Sequence, residues 1–238
     1  MRHLSLLLTC VVGAILAGCS GVPSATLGAS GASYTPTCYG TSKPATSSTS
    51  CGKNGVFSGF SLDPTSLTLC TAGAGCALST ALINAFVDYG TLVGTVGGSN
   101  VTISLGATAQ DDANFVVRAI ATGPSNIYFN DSAFGPQQIA TVAVVAATQN
   151  DGRLGIARGY SPEPCNTEPF TIVFKKPAAG LAATIAAPSY ATIAVMPAES
   201  SITVTPLEGP DVSTYLTVTS GSDSLVVPLN LQVCAVPG

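Results

Sequence analysis

Catalysis needs a nucleophile, a base, a metal or a pair of acids, and this sequence offers little of any of them. The only histidine is His3, close to the start of the chain. It falls in a stretch that reads as a cleaved leader, so the body is left without Ser-His or Cys-His nucleophilic systems and without histidine metal ligands. Of the eight cysteines, Cys10 lies inside that leader and Cys19 stands at its end. Six remain: Cys38, Cys51, Cys70, Cys76, Cys165 and Cys234. An even number in an exported chain reads as disulfides. Six cysteines allow fifteen pairings, and the local choice is Cys38–Cys51, Cys70–Cys76 and Cys165–Cys234. None of these cysteines has the two-residue spacing of a zinc knuckle. Oxidised cysteines are not nucleophiles, so the sequence predicts no catalytic residue, no metal site and no cofactor.

The remaining candidates are acids and aromatics. Asp111 and Asp112 could serve a cation or a glycosidase-type pair. Neighbours on a strand point to opposite faces, however, so the two would cooperate only from a loop; a solvated turn is the simpler reading. Lys175-Lys176 is the one basic doublet, far short of the clustered charge that phosphate contacts require, which excludes nucleic acid as an expected partner. The stretch from Thr122 to Gln137 gathers Tyr128, Phe129 and Phe134 beside Asn126, Asn130 and Asp131. Aromatics on a loop could contact a glycan or a protein. The competing reading is a hairpin whose aromatics pack on the scaffold.

What would position such residues begins with the leader. Met1-Arg2-His3 is a minimal basic start, and Leu4 to Leu16 follows as an apolar run, the layout of a secretory signal. The run is shorter than the roughly 20 apolar residues of a spanning helix. It closes on Leu16-Ala17-Gly18-Cys19, which resembles the lipobox of bacterial lipoproteins. The resemblance implies a leader over residues 1–18 and lipidation of Cys19. It also implies a chain tethered to a membrane of the cell envelope by two or three acyl chains, enough for durable attachment. Ser20 after the cysteine points toward the outer membrane or the cell surface.

Charged residues make up 8% of the chain and aromatics 6%, with Gly, Ser, Thr, Ala and Val dominant. That composition suits short strands and tight turns rather than coiled coils or charged disorder. Without Arg2 the body carries seven basic and twelve acidic residues, a net charge of about −5. Residues 19–54, poor in large apolar groups, read as a lipidated N-terminus and a flexible Ser/Thr/Gly/Pro-rich stalk. Strand-like alternation then recurs between Gly, Pro and Asp turns. The segment Ala77 to Asp88 fits a helix by Leu78, Ala81, Leu82, Ala85 and Phe86, and a strand by Ala81, Ile83, Ala85 and Val87.

A gapless slide of 101 residues superposes Val101-Thr102-Ile103 on Ile202-Thr203-Val204 and Tyr89 on Tyr190. This predicts two related units, favours the strand over Ala77 to Asp88, and makes Thr122 to Gln137 an insertion of about 15 residues in the first unit. Leu62-Asp63-Pro64-Thr65-Ser66-Leu67-Thr68-Leu69 is similar to the opening strands of bacterial immunoglobulin-like domains. The expected fold is therefore all-β: two tandem immunoglobulin-like β-sandwiches over residues 55–149 and 150–238, meeting near Gln149-Asn150-Asp151-Gly152. There is no tryptophan, so an antibody-type core is not expected. The corresponding functional expectation is a non-enzymatic, lipid-anchored envelope protein that presents its modules for adhesion, scaffolding or envelope assembly. Its partners would be the membrane and an unidentified protein or glycan. The alternatives are a glycan-binding accessory lipoprotein and a hydrolase using carboxylates alone.

Overall fold

The computed structural model describes residues 31–37, 60–109, 111–133, 135–160, 168–175, 177 and 179–231. Apart from one short 3-10 turn at Pro197–Glu199, the regular elements among them are strands, sixteen in number. Alternation explains most of them. In β4 (Thr80–Val87) the residues Ala81, Ile83, Ala85 and Val87 are buried, whereas Leu82 is 47% exposed. The period is two, and the helical alternative for this segment is excluded.

The first sandwich has two sheets. One runs β2 (Phe60–Asp63), β4, β7 (Asp112–Ala119), β6 (Val101–Ala109), all antiparallel. The other runs β1 (Gly31–Tyr34), β5 (Leu92–Gly97), β8 (Gly123–Asp131), β9 (Gln138–Val145), β3 (Ser66–Cys70). Their inner faces meet around Phe115 and Phe129, both fully buried, with ring centroids 5.1 Å apart and nearly perpendicular. This edge-to-face arrangement brings the positive ring edge to the negative ring face. The Asp63-Pro64 step carries the chain from one sheet to the other, because β2 pairs with β4 and β3 runs parallel to β9. Proline has no N–H with which to continue the first ladder.

The second sandwich repeats this plan. Its sheets are β10 (Gly155–Arg158), β11 (Phe170–Lys175), β14 (Ser201–Pro206), β13 (Ala191–Met196), and β12 (Leu181–Ile185), β15 (Val212–Ser220), β16 (Asp223–Leu231). In sheet order, β2-β4-β7-β6 matches β10-β11-β14-β13, and β5-β8-β9 matches β12-β15-β16. Four strands face three in the pairing of the constant-type immunoglobulin sandwich. The fold is all-β, immunoglobulin-like in both units by strand order. Each unit has its own hydrophobic cluster, one from Tyr34 to Val144 and the other from Leu154 to Leu231.

This correspondence corrects the repeat register. Equivalent strands begin at Leu92 and Leu181, and at Gly123 and Val212, a spacing of 89 residues rather than 101. The 101-residue slide superposed β6, an edge strand, on β14, which lies between β11 and β13. Strands of Val, Ile and Thr resemble one another well enough to match one strand out of step. At the correct spacing the buried Ser125, Ile127 and Phe129 fall on the buried Thr214, Leu216 and Val218. Thr122 to Gln137 is therefore no insertion. Most of it is β8, the counterpart of β15.

Two further expectations change. Residues 31–34, assigned to the stalk, form β1 along β5, with Tyr34 buried in the first core. Strand β3, read as half-buried, is covered on both faces: Leu67 and Leu69 enter its own core, while Thr68 is 3% exposed beneath the second sandwich. Pro228 sits in β16, an edge strand of its sheet, as its missing N–H requires.

Candidate functional site

Phe129 cannot be a loop contact. It points into the first core with no exposed surface, and a Cβ on Gly94 of the adjacent β5 would stand 2.8 Å from its ring. Tyr128, one residue earlier, points outward and is half-buried. It lies in register with Thr95 on β5 and with Ile139 on β9. Its ring edge fills the space beside Gly97, where a Cβ would come within 2.5 Å. The Asn126 side-chain amide reaches its phenol oxygen at 3.5 Å, and Gln137 Nε2 donates to Asn130 Oδ1 at 3.1 Å. Phe134 lies outside the described residues. The strand period thus splits the expected aromatic cluster, because consecutive residues of a strand cannot share a face.

Asp111 occupies a turn and Asp112 opens β7, exposed at its side chain. Burial, then the neighbouring Asp111, raises the Asp112 carboxyl above its ordinary range. Tyr34 lies near both acids. Burial, with the two carboxylates adding to it, pushes its phenol up to about 12. Among the described residues, no three Cys, Asp, Glu or His side chains cluster closely enough to hold a metal ion. Lys175 ends β11, exposed, and Lys176 is outside the described residues.

Cys70 and Cys76 form a disulfide, as their spacing predicts, with Cα atoms 5.6 Å apart. Cys19, Cys38, Cys51, Cys165 and Cys234 lie outside the described residues. What the sequence did not reveal is where the Cys70–Cys76 loop goes. It leaves the first sandwich and docks on β16 of the second. The Ala77 amide donates to the Val226 carbonyl at 2.8 Å, and the Val226 amide donates to the Gly75 carbonyl at 2.9 Å. Ala77 also packs against the second core.

Beside this docked loop runs the connector between the units. Ser224 N donates to Gln149 O at 2.9 Å, and Asp151 N donates to the buried Asp223 carboxylate at 3.2 Å. The Asn150 amide nitrogen spends its two protons on opposite sides of the junction, on Ala74 O at 3.0 Å and Leu154 O at 2.6 Å. Deeper in, Thr68, Ser213 and Asn230 form a chain with oxygen separations of 3.0 and 2.9 Å. Both contacts have Ser213 Oγ as donor, so its single proton is shared between Thr68 Oγ1 and Asn230 Oδ1. Thr68 and Asn230 are nearly dry, and burying such groups unpaired would cost about 1–3 kcal/mol each. The junction is a built interface with satisfied polar groups.

Two acids of different units also lie close enough to influence each other. Asp63, at the end of β2, is raised above the ordinary carboxylate range by burial and then by Asp211 of the second unit. A single sequence gives no sign of such a pairing, because the partners are far apart along the chain and each sits in ordinary turn chemistry.

The sequence matches no protein-family model and no curated protein. Among solved structures it resembles domains 5-6 of the S-layer protein SbsC at 14% identity and TM-score 0.32, over 74% of this chain and 98% of that one. The Yersinia pseudotuberculosis adhesin InvE matches at 13% and 0.26, over 72% of this chain and 58% of that one. Titin domains z1z2 in complex with telethonin match at 10% and 0.25, over 73% and 95%.

Proposed function

We propose that this chain is a non-enzymatic, lipid-anchored protein of the cell envelope. In this reading residues 1–18 are a leader and Cys19 carries the lipid. Two immunoglobulin-like sandwiches, the first over residues 55–149 with β1 at residues 31–34 added to its sheet and the second over residues 150–238, form a presentation module for adhesion, scaffolding or envelope assembly. The observation that carries the proposal is the pairing of two features. A leader closes on Leu16-Ala17-Gly18-Cys19, and the body behind it devotes its internal surface to a built junction between sandwiches. Such a body suits holding a surface at a set place and orientation.

The glycan-binding alternative required a cluster of exposed aromatics. Burial of Phe129 removes one of its three members, so surface presentation is the better-supported reading. The test is detergent phase separation of cells expressing the chain. The wild type is expected in the detergent phase and Cys19→Ser in the aqueous phase, uncleaved or poorly cleaved. Equal partitioning of the two into the aqueous phase refutes lipid anchoring.

A further inference from the structure

We propose that the Cys70–Cys76 loop is a lock that fixes the two sandwiches in one arrangement, and that its disulfide serves the junction rather than the sandwich it springs from. The entropy a cross-link removes from the unfolded chain grows with loop length. This one spans a sequence separation of only six, so on that estimate it contributes about 2 kcal/mol through the unfolded state, against about 4.7 for a 100-residue loop. Its effect on the folded state is local and specific. It closes Thr71 to Gly75 into a compact loop whose last residues present one carbonyl and one amide to the same residue of the other unit. Gly75 O accepts from Val226 N while Ala77 N donates to Val226 O, so Cys76 makes a parallel bridge to Val226. That is a two-bond β-addition between sandwiches, the geometry by which an extended segment joins a sheet edge.

Two features show that the loop is shaped for this contact. The first is Gly75. It is buried, and a Cβ there would collide with the carbonyl of Thr148, the residue that leads into the connector. Thr148 touches both units: its hydroxyl donates to Ser224 O and its amide donates to Gly75 O. The second is β16. Its inward residues fill the second core as expected for a half-buried strand, yet Val226 and Asn230 on its other face are 3% and 4% exposed. An edge strand with an unpaired backbone is a site for unwanted association. Here the locked loop pairs with that edge at Val226 from within the chain, and β3 packs beside β16. Opening the loop would free the Val226 backbone and turn a fixed pair of sandwiches into a hinged pair.

The experiment uses the full chain and two variants that break the lock differently. Cys70→Ala/Cys76→Ala removes the cross-link, and Gly75→Ala keeps it but excludes the close approach to Thr148. Amide hydrogen exchange and residual dipolar couplings are measured on each. In the wild type, both sandwiches should share one alignment tensor, with the amides of Ala77 and Val226 protected. In both variants these two amides should exchange about two- to tenfold faster, the loss of a typical hydrogen bond. The Ile127 and Leu216 amides should keep their protection, and the two sandwiches should require separate tensors. A single shared tensor in both variants overturns the proposal. So does collapse of protection at Ile127 in the double variant, because the disulfide would then be supporting the first sandwich itself.

Discussion

Phe129→Ala separates the packed reading of β8 from the binding-loop reading more sharply than any other single change. Phe129 has no exposed surface and meets Phe115 edge-to-face at a centroid distance of 5.1 Å. Truncating a fully buried phenylalanine removes its transfer free energy and leaves a cavity, together about 3–5 kcal/mol. The lost ring pair accounts for about 0.5–1.5 kcal/mol of that. A domain of this size has about 5–15 kcal/mol in all, so the first sandwich should be left close to its threshold. At about 4–8 °C per kcal/mol for a domain of 60–100 residues, its melting transition should fall by about 12 °C or more. Tyr128→Ala, on the outer face of the same strand, should cost about 1 kcal/mol or less. The assay is urea denaturation of both variants followed by far-UV circular dichroism, with the midpoint and slope compared to wild type. A loss below about 1 kcal/mol for Phe129→Ala would refute the packing argument and return the segment to the category of a contact loop.

Three other expectations can be checked by similar means. Asp63 is raised by burial and by Asp211, so the folded state binds its proton more readily than the unfolded chain. The resulting penalty is absent below the unfolded value of about 3.9 and complete once pH has risen past the folded one. Asp63→Asn should therefore stabilise at pH 7, by less than about 1 kcal/mol at this exposed site, and change nothing at pH 3; a loss of stability at pH 7 would contradict this. Tyr160 is raised by burial and donates to the Pro228 carbonyl at 2.6 Å, while Tyr34 is pushed to about 12. Both stay neutral when the unfolded chain ionises near 10, so stability should fall as pH rises from about 10 toward 12, and less steeply in Tyr34→Phe/Tyr160→Phe. Free-thiol labelling of the denatured, unreduced chain should find none of Cys38, Cys51, Cys70, Cys76, Cys165 and Cys234; reactive thiols at the four cysteines other than Cys70 and Cys76 would refute the other two proposed bridges.

Those predictions depend on structure that the sequence disclosed unevenly. Leu62-Asp63-Pro64 marked a turn between strands, a local signal of the kind that survives in a single sequence. Over Ala77 to Asp88 the apolar spacing fitted a helix and a strand alike, and the repeat tipped it to strand. The repeat was visible but misread by one strand, because a short Val-Ile-Thr run carries no label for its position in a sheet. That error made β8 look like an insertion and lent Phe129 the appearance of a loop residue. Strands β5 and β12 were missed because Gly94, Gly97, Ala182 and Ala183 dilute their apolar pattern. The junction left the faintest trace. Burial of Thr68 and Asn230, and the need for glycine at position 75, arise only when distant segments meet. The one local hint was Cys70 and Cys76 closing a short loop.

The central claim is that a lipid on Cys19 tethers a body of two fixed sandwiches. Mass spectrometry of the mature N-terminal peptide from membranes tests it most directly. The account predicts a chain that starts at Cys19 and carries the added mass of two or three acyl chains. A mature chain that begins elsewhere, or an unmodified cysteine at that position, would contradict it.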